Sequence, residues 1–399
     1  MAISKENDTT QIQKKEVIDK DIEPKLVVIG AEQTEKYFDK IKNKRVGMIV
    51  NHTSVIDNKQ DSIHLVDFLI ENQINIQTIF APEHGFRGTA SAGETIKNGK
   101  DTKTGIDIIS LYGKNKKPTK EQLENIDVLV FDIQDVGARF YTYISTMDYC
   151  MEAAAENDKQ IIILDRPNPN GFYIDGCIRE EKFKSFVGMH PIPIVHGLTV
   201  GELAKMIEGE KWLKNQNQLG ENLIVIPCQN YSHKDRYTLK IAPSPNLPTQ
   251  SSILLYPSLC LFEGTTMSVG RGTDFPFEVT GHPKFPKENS NISFTPIPNE
   301  GAKYPPFQDK LCYGIKYTPN ELEGNFSLKP ILNFYEIMKK NELESNFFNS
   351  YFNTLAGNEK LQAQIKEGKS EQEIKATWQE NLENYKKMRK KYLLYQDFE

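Results

Sequence analysis

Short apolar runs recur along the first part of the chain, at residues 45–50, 74–80, 106–111, 128–131, 160–164 and 223–226. They are continuous rather than alternating, which is the pattern of strands buried on both faces of a parallel sheet. Helical periodicity lies between several of them. Asp61 opens one such stretch, with Ile63, Val66, Leu69 and Ile70 on one side, and residues 140–156 form another. Thr199 and Glu202 make a capping box in front of Leu203, Met206 and Ile207, so a further helix starts there. Strands alternating with helices predict an α/β fold built on a doubly wound parallel sheet.

From residue 241 the texture changes. Pro-Ser-Pro-Asn-Leu-Pro at 243–248 reads as a rigid extended connector, followed by short apolar pieces and a Gly-rich stretch at 263–273. The last third is helical. Ser370 and Glu373 form a second capping box, and Ile374, Trp378, Leu382, Tyr385, Met388, Tyr392 and Tyr395 make one apolar stripe. The pattern predicts a flexible polar leader over 1–24, a doubly wound α/β domain over 25–240, and a C-terminal α+β domain over 241–399 packed on the first.

Composition excludes several function classes. Of the 399 residues 38% are apolar and 26% charged, and the net charge of −5 mixes both signs without a basic stripe, so nucleic acid is not an expected partner. Cys150, Cys177, Cys228, Cys260 and Cys312 show no C-x-x-C spacing, which predicts buried thiols rather than structural zinc or a disulfide framework. No apolar run approaches the roughly 18 residues of a membrane span. The first 24 residues lack the apolar core of a signal peptide. Their composition is consistent with a protein that stays inside, or with one whose export signal is not part of this chain.

All parallel strands of such a sheet deliver their following loops to one edge, where ligands bind. Those loops bring Asn51 and His52, then Glu83, His84 and Arg87, then Tyr112, then Asp132, Gln134, Asp135 and Arg139, then Asp165, Arg166 and Asn168. A dinucleotide is not the expected cargo, because no G-x-G-x-x-G follows a strand. Residues 93–100 have the wrong spacing for a P-loop, with Asp101 where Ser or Thr is required. G-x-S-x-G and H-E-x-x-H are also missing. His52, His84, Asp132 and Asp165 are possible metal ligands, but their long-range spacing is unspecific, so no metal or other cofactor is expected. Carboxylates, amides, His, Tyr and Arg together suit a polyhydroxylated substrate. Carboxylates and amides take hydroxyls in pairs, aromatic rings cover a C–H face, and one carboxylic acid serves a leaving oxygen.

Longer motifs carry a specific resemblance. VNHTSV (50–55), FAPEHGFRG (80–88), AGE (92–94), SLYG (110–113), VLVFDIQDVGARFYTYISTM (128–147), LDRPNPNG (164–171) and HGLTVGELA (196–204) belong to it. So do PSPNLP (243–248), FEGTTMSVGRGTDFPFE (262–278) and YLLY (392–395). The chain resembles the exo-β-N-acetylmuramidase family of peptidoglycan-degrading glycosidases, long catalogued as a domain of unknown function, over about residues 45–395. The resemblance implies release of N-acetylmuramic acid from the non-reducing ends of cell-wall glycan fragments, by a Rossmann-like domain with a second domain closing the cleft. It also implies a cell-envelope location, periplasmic or exported, although the export signal of many relatives is not seen here.

With such a substrate the residues take expected roles. Glu83, fixed between Pro82 and His84-Gly85, is the first choice for general acid, with His84 orienting it. Asp132 and Asp135 are candidates for the second carboxylate; structural duties compete, since Asp135 could cap the following helix and Asp132 could pair with Arg139. Attack by the substrate's own 2-acetamido group and direct attack by water stay open. Arg139, Arg166 and Arg271 are candidates for reading the lactyl carboxylate. Asn51, His52, Tyr112, Asp165, Asn168, His196 and Glu263 are candidate sugar binders, whereas Tyr141 and Tyr143 sit at helical core spacing. The expected partners are therefore muramyl disaccharides. The alternatives are a metal-dependent hydrolase or esterase on an envelope sugar, and a muropeptide-binding protein without turnover.

Overall fold

Alternate residues of each central strand feed opposite cores, which makes the sheet the middle layer of the N-terminal part. Met48, Val50, Val130 and Ile162 pack with Leu65, Val66 and Leu69 on one face. Ile49, Leu129, Phe131, Ile161 and Ile163 pack on the other, in a core that runs on through Leu255, Phe262 and Phe334 to Leu382 and Tyr385. The computed structural model describes residues 26–58, 61–83, 85–87, 98–322 and 324–399. The leader expected over 1–24, and His84, lie outside them.

In chain order the strands are β1 (Val46–Val50), β2 (Val55–Asn58), β3 (Asp61–His64), β4 (Ile76–Ala81), β5 (Gly99–Lys100), β6 (Asp107–Ser110), β7 (Val128–Asp132), β8 (Gln160–Leu164) and β9 (Leu223–Ile226). Seven of them form one sheet in the order β5-β6-β4-β1-β7-β8-β9. All its pairings are parallel except the short antiparallel edge β5–β6. The six expected strands are all present, and β1 and β7 are buried along their whole length.

One expectation fails locally. Asp61 does not open a helix: residues 55–58 and 61–64 pair as the β2–β3 hairpin, and the helix begins at Leu65. His64 takes the capping role, its Nδ1 accepting Val66 N–H at 3.2 Å while Nε2 lies 2.9 Å from Asn51 O. Burial holds this imidazole below its ordinary pKa, as a neutral ring with one donor and one acceptor requires.

The C-terminal part is α+β. Strands β10 (Val279–His282), β11 (Ile292–Phe294) and β12 (Cys312–Lys316) form an antiparallel sheet in the order β10-β12-β11, accompanied by helices such as Gln250–Leu259 and Lys329–Lys340. The segment 243–248 is not extended throughout, because Leu247 N–H turns back onto Ser244 O at 3.0 Å. The apolar stripe is two helices, Glu371–Ala376 and Gln379–Arg389, with Trp378 at the break. Beyond them the chain returns to the first sheet, where the Tyr395 hydroxyl accepts Cys228 N–H at 2.8 Å and donates to Asp165. All five cysteines are free and buried. No helix among the described residues is long and apolar enough to cross a membrane.

Candidate active site

Strand β1 has β4 on one side and β7 on the other, so the loops after β1 and β7 meet at the point where a doubly wound sheet commonly binds its ligand. Here the polar side chains hold one another beside a small cavity of about 200 Å³ lined by Thr53, Gln134 and Arg166. The Thr53 hydroxyl donates to Asn51 Oδ1 at 2.6 Å and accepts Gln134 N–H at 3.0 Å. Arg166 grips Asp132 with Nε to Oδ1 at 2.6 Å and Nη2 to Oδ2 at 2.9 Å, both side chains being buried. Two groups expected to face a sugar therefore hold each other instead.

Behind the crevice the other expected polar groups serve as a frame. Asp135 Oδ2 accepts Gly137 N–H at 2.7 Å. Gly137 has φ +78°, and a Cβ there would collide with the Asn168 side chain. Asn168 in turn donates to Leu198 O at 2.8 Å and accepts Asn170 N–H at 2.8 Å. Burial pushes the Asp135 carboxyl up to about 7 and pulls His196, whose Nε2 lies 3.9 Å away, down to about 3. Asp165 accepts from the Thr199 hydroxyl at 2.7 Å and from Gly201 N–H at 2.8 Å. His52 Nε2 lies 2.9 Å from Ala242 O.

Arg139 is a tie between the two parts of the chain. Its Nη1 donates to Cys177 O and Ile192 O at 2.7 and 2.8 Å, and its Nη2 to Leu355 O and Ala356 O at 2.9 and 2.7 Å. The last two carbonyls end the helix Phe352–Ala356, where a buried cation is favoured. Both Nη groups are used up, leaving none for a ligand carboxylate.

The groups that do converge line a cavity of about 580 Å³ between the two parts. Glu83 after β4, Tyr112 after β6, and Thr142 and Tyr143 at the start of the helix Tyr143–Glu156 form one wall. Glu263, Arg271 and Tyr351 form the other. Glu83 is half-buried, its Oε2 accepting the Thr142 hydroxyl at 3.1 Å and its carbonyl the Tyr143 hydroxyl at 3.4 Å. Burial and then the Glu83 charge raise the Tyr112 phenol, keeping it a neutral donor beside that carboxylate. Opposite, Arg271 Nε donates to Glu263 Oε1 at 2.8 Å, with the guanidinium 5.0 Å from the centre of the Phe277 ring. Its Nη1 is buried without a hydrogen-bond partner, an arrangement that a bound anion would relieve. Burial raises the Tyr351 phenol, and the Cys260 thiol and the charges of Glu263 and Glu83 add to the shift.

Of the expected site residues, Glu83, Tyr112, Glu263 and Arg271 thus line one cavity, and Asn51, His52, Asp132, Asp135, Arg139, Asp165, Arg166, Asn168 and His196 do not. Tyr141 and Tyr143 are buried as their spacing suggested, yet they also line the cavity. Thr142, Ser244, Asn246, Tyr256 and Tyr351 line it without having been anticipated. Thr142 and Asn246 lie inside FYTY and PSPNLP, so the motifs marked their segments without marking them. Another cavity, of about 450 Å³, is walled by Trp212, Trp378 and Tyr385 and contains none of the groups on the two walls described.

Comparison with known proteins gives consistent matches. The family model described as the N-terminal part of exo-β-N-acetylmuramidase NamZ matches residues 46–251, and its C-terminal counterpart matches 254–395. Over 376 residues, 90% of this chain and 89% of the relative, the chain is 39% identical to a peptidoglycan β-N-acetylmuramidase NamZ of Bacillus subtilis (strain 168). A crystal structure of a DUF1343 family protein from Bacteroides fragilis is 47% identical, with a TM-score of 0.84 over 94% of this chain and all of that one. A second DUF1343 protein from the same organism is 30% identical, with a TM-score of 0.80 over 93% of this chain and 99% of its own.

Proposed function

Because the chain belongs to the exo-β-N-acetylmuramidase family, we infer that it is an exo-acting glycosidase releasing N-acetylmuramic acid from the non-reducing ends of peptidoglycan fragments. Glu83 is the general acid of this reading. Thr142 steers its carboxyl and Tyr112 stands beside it, so that it can protonate the leaving glycosidic oxygen. Tyr112 and Tyr351 offer ring faces to the sugar's C–H surface.

One observation carries the muramyl specificity. N-acetylmuramic acid differs from N-acetylglucosamine by a lactyl ether on O3 whose carboxylate needs a cation, and the buried Nη1 of Arg271 is a charged donor without a partner in the same cavity as Glu83. Arg139 and Arg166, the other candidates for this role, are engaged elsewhere.

A chromogenic N-acetyl-β-muramide tested beside its glucosaminide counterpart checks the reading. The wild-type protein should cleave the muramide preferentially. Arg271→Ala should lower the muramide rate about 10- to 100-fold, the range for a lost charged hydrogen bond, without lowering the glucosaminide rate. Failure of the wild type to cleave the muramide would remove the enzyme assignment; an equal loss on both sugars would make Arg271 structural.

A further inference from the structure

We propose that Glu263 is the second carboxylate of the reaction, accepting the N–H of the substrate's 2-acetamido group and holding that amide so that its carbonyl oxygen attacks C1. The proposal rests on the muramidase reading and assigns a mechanism to it.

Position comes first. Asp132 is consumed by Arg166, Asp135 is buried away from the cavity at the turn of Gly137, and among the described residues the carboxylates lining the cavity are Glu83 and Glu263. They come from opposite walls. Valence comes second. Glu263 Oε1 is held by Arg271 Nε at 2.8 Å, whereas the hydrogen-bonding neighbour of Oε2 is the Cys260 thiol at 3.7 Å. Burial raises that thiol well above its ordinary value, so it remains a neutral S–H and a weak donor. Oε2 therefore keeps the capacity to accept a stronger hydrogen bond.

Substrate geometry is the third argument. The acetamido group on C2 and the lactyl ether on C3 are neighbours on the pyranose ring. A site that reads both needs an acceptor for the amide N–H directly beside a cation for the lactyl carboxylate, and Glu263 bonded to Arg271 is such a pair. The cation is presented on a fixed loop. Gly270 and Gly272, on either side of Arg271, have φ of +78° and +81°, and a Cβ on Gly272 would strike Pro305 and Ile297 O.

The step balances. The acetamido oxygen forms a bond to C1 as the C1–O glycosidic bond breaks, and the bonding pair leaves on the oxygen, which takes the Glu83 proton. Glu263 carries the hydrogen bond from the amide N–H as positive charge develops on the resulting oxazolinium ring. Water then adds to C1 from the face the leaving group vacated, giving its proton to Glu83, and the ring C1–O bond opens to restore the acetamide. The β configuration is retained.

The first test needs no variant. NMR of the sugar first released by the wild-type protein should show the β anomer; the α anomer would overturn the proposal. In the second, a chromogenic β-muramide series carrying acetyl, fluoroacetyl, difluoroacetyl and trifluoroacetyl on N2 should lose kcat/KM progressively, because fluorine weakens the attacking carbonyl. A flat series would contradict participation. Third, Glu263→Gln, with its fold verified by thermal unfolding, should lose about 100-fold or more in kcat on the acetyl substrate and show a flatter fluorine dependence. Retention of wild-type kcat and slope would overturn the assignment. Failure of the wild type on every muramide would be failure of the muramidase reading itself, a separate result.

Discussion

The Thr142 hydroxyl donates to Glu83 Oε2 at 3.1 Å, linking the loop after β4 to the start of the helix that follows β7. These residues are 59 positions apart, and the parallel sheet brings them together by pairing β1 with both β4 and β7. Thr142→Val keeps the shape and removes the donor. Loss of one orienting hydrogen bond, worth about 1–1.5 kcal/mol, should lower kcat on a muramyl-glucosamine disaccharide about tenfold with little change in KM. Unchanged kcat would show that Thr142 does not position the acid.

Asp132 and Arg166 form a buried ion pair, so removing one partner strands the other charge. Asp132→Ala should cost roughly 3–5 kcal/mol in unfolding free energy, read from urea denaturation. Activity per folded molecule should stay near the wild-type value, since neither residue lines the Glu83 cavity. A loss of about 100-fold in the folded protein would place Asp132 against the substrate.

Asp135 provides a pH test. Burial raises its carboxyl to about 7, against roughly 4 in an unfolded chain. The folded protein holds a proton that the unfolded chain releases, so this contribution to stability is complete below about pH 4 and is lost as pH rises through about 7. His196, held near 3 by burial, acts in the opposite sense. Its contribution is present above about pH 6.5 and is lost as pH falls towards about 3. Asp135→Asn abolishes the first dependence and leaves the second. Urea midpoints at about pH 4.5 and about pH 7.5 should show the variant gaining on the wild type at the higher pH. Its kcat should stay within about threefold of wild type; loss of about 100-fold or more would return Asp135 to the reacting centre.

The parts of the fold that follow from local chemistry were legible in the sequence. Val128, Leu129, Val130 and Phe131 are continuously apolar because both faces of β7 are covered, and that single fact predicts a central parallel strand. Thr199 and Ser370 cap helices where their capping boxes predict. Asp61 misled because an acidic residue before an apolar period looks like a helix start, whereas the actual cap is the imidazole of His64. The site was half legible. Glu83 and Arg271 stand in motifs whose loops reach the cavity, but Arg139 has the same loop signature and spends its donors on four carbonyls. No spacing distinguishes an arginine that caps a distant helix from one that waits for a ligand. Glu263 and Tyr351 come to share a cavity with Glu83 only through packing between the two parts of the chain, information that a single sequence does not carry locally.

The most direct test of the account is the leaving-group dependence of Glu83→Gln. General acid catalysis contributes about 10²–10⁴-fold where the leaving oxygen needs a proton and little where it does not. On a muramyl-glucosamine disaccharide the variant should lose about 1000-fold in kcat/KM, and on the 2,4-dinitrophenyl β-muramide less than about tenfold. Equal losses on the two substrates, or none on the disaccharide, would contradict the assignment of Glu83 as the proton donor.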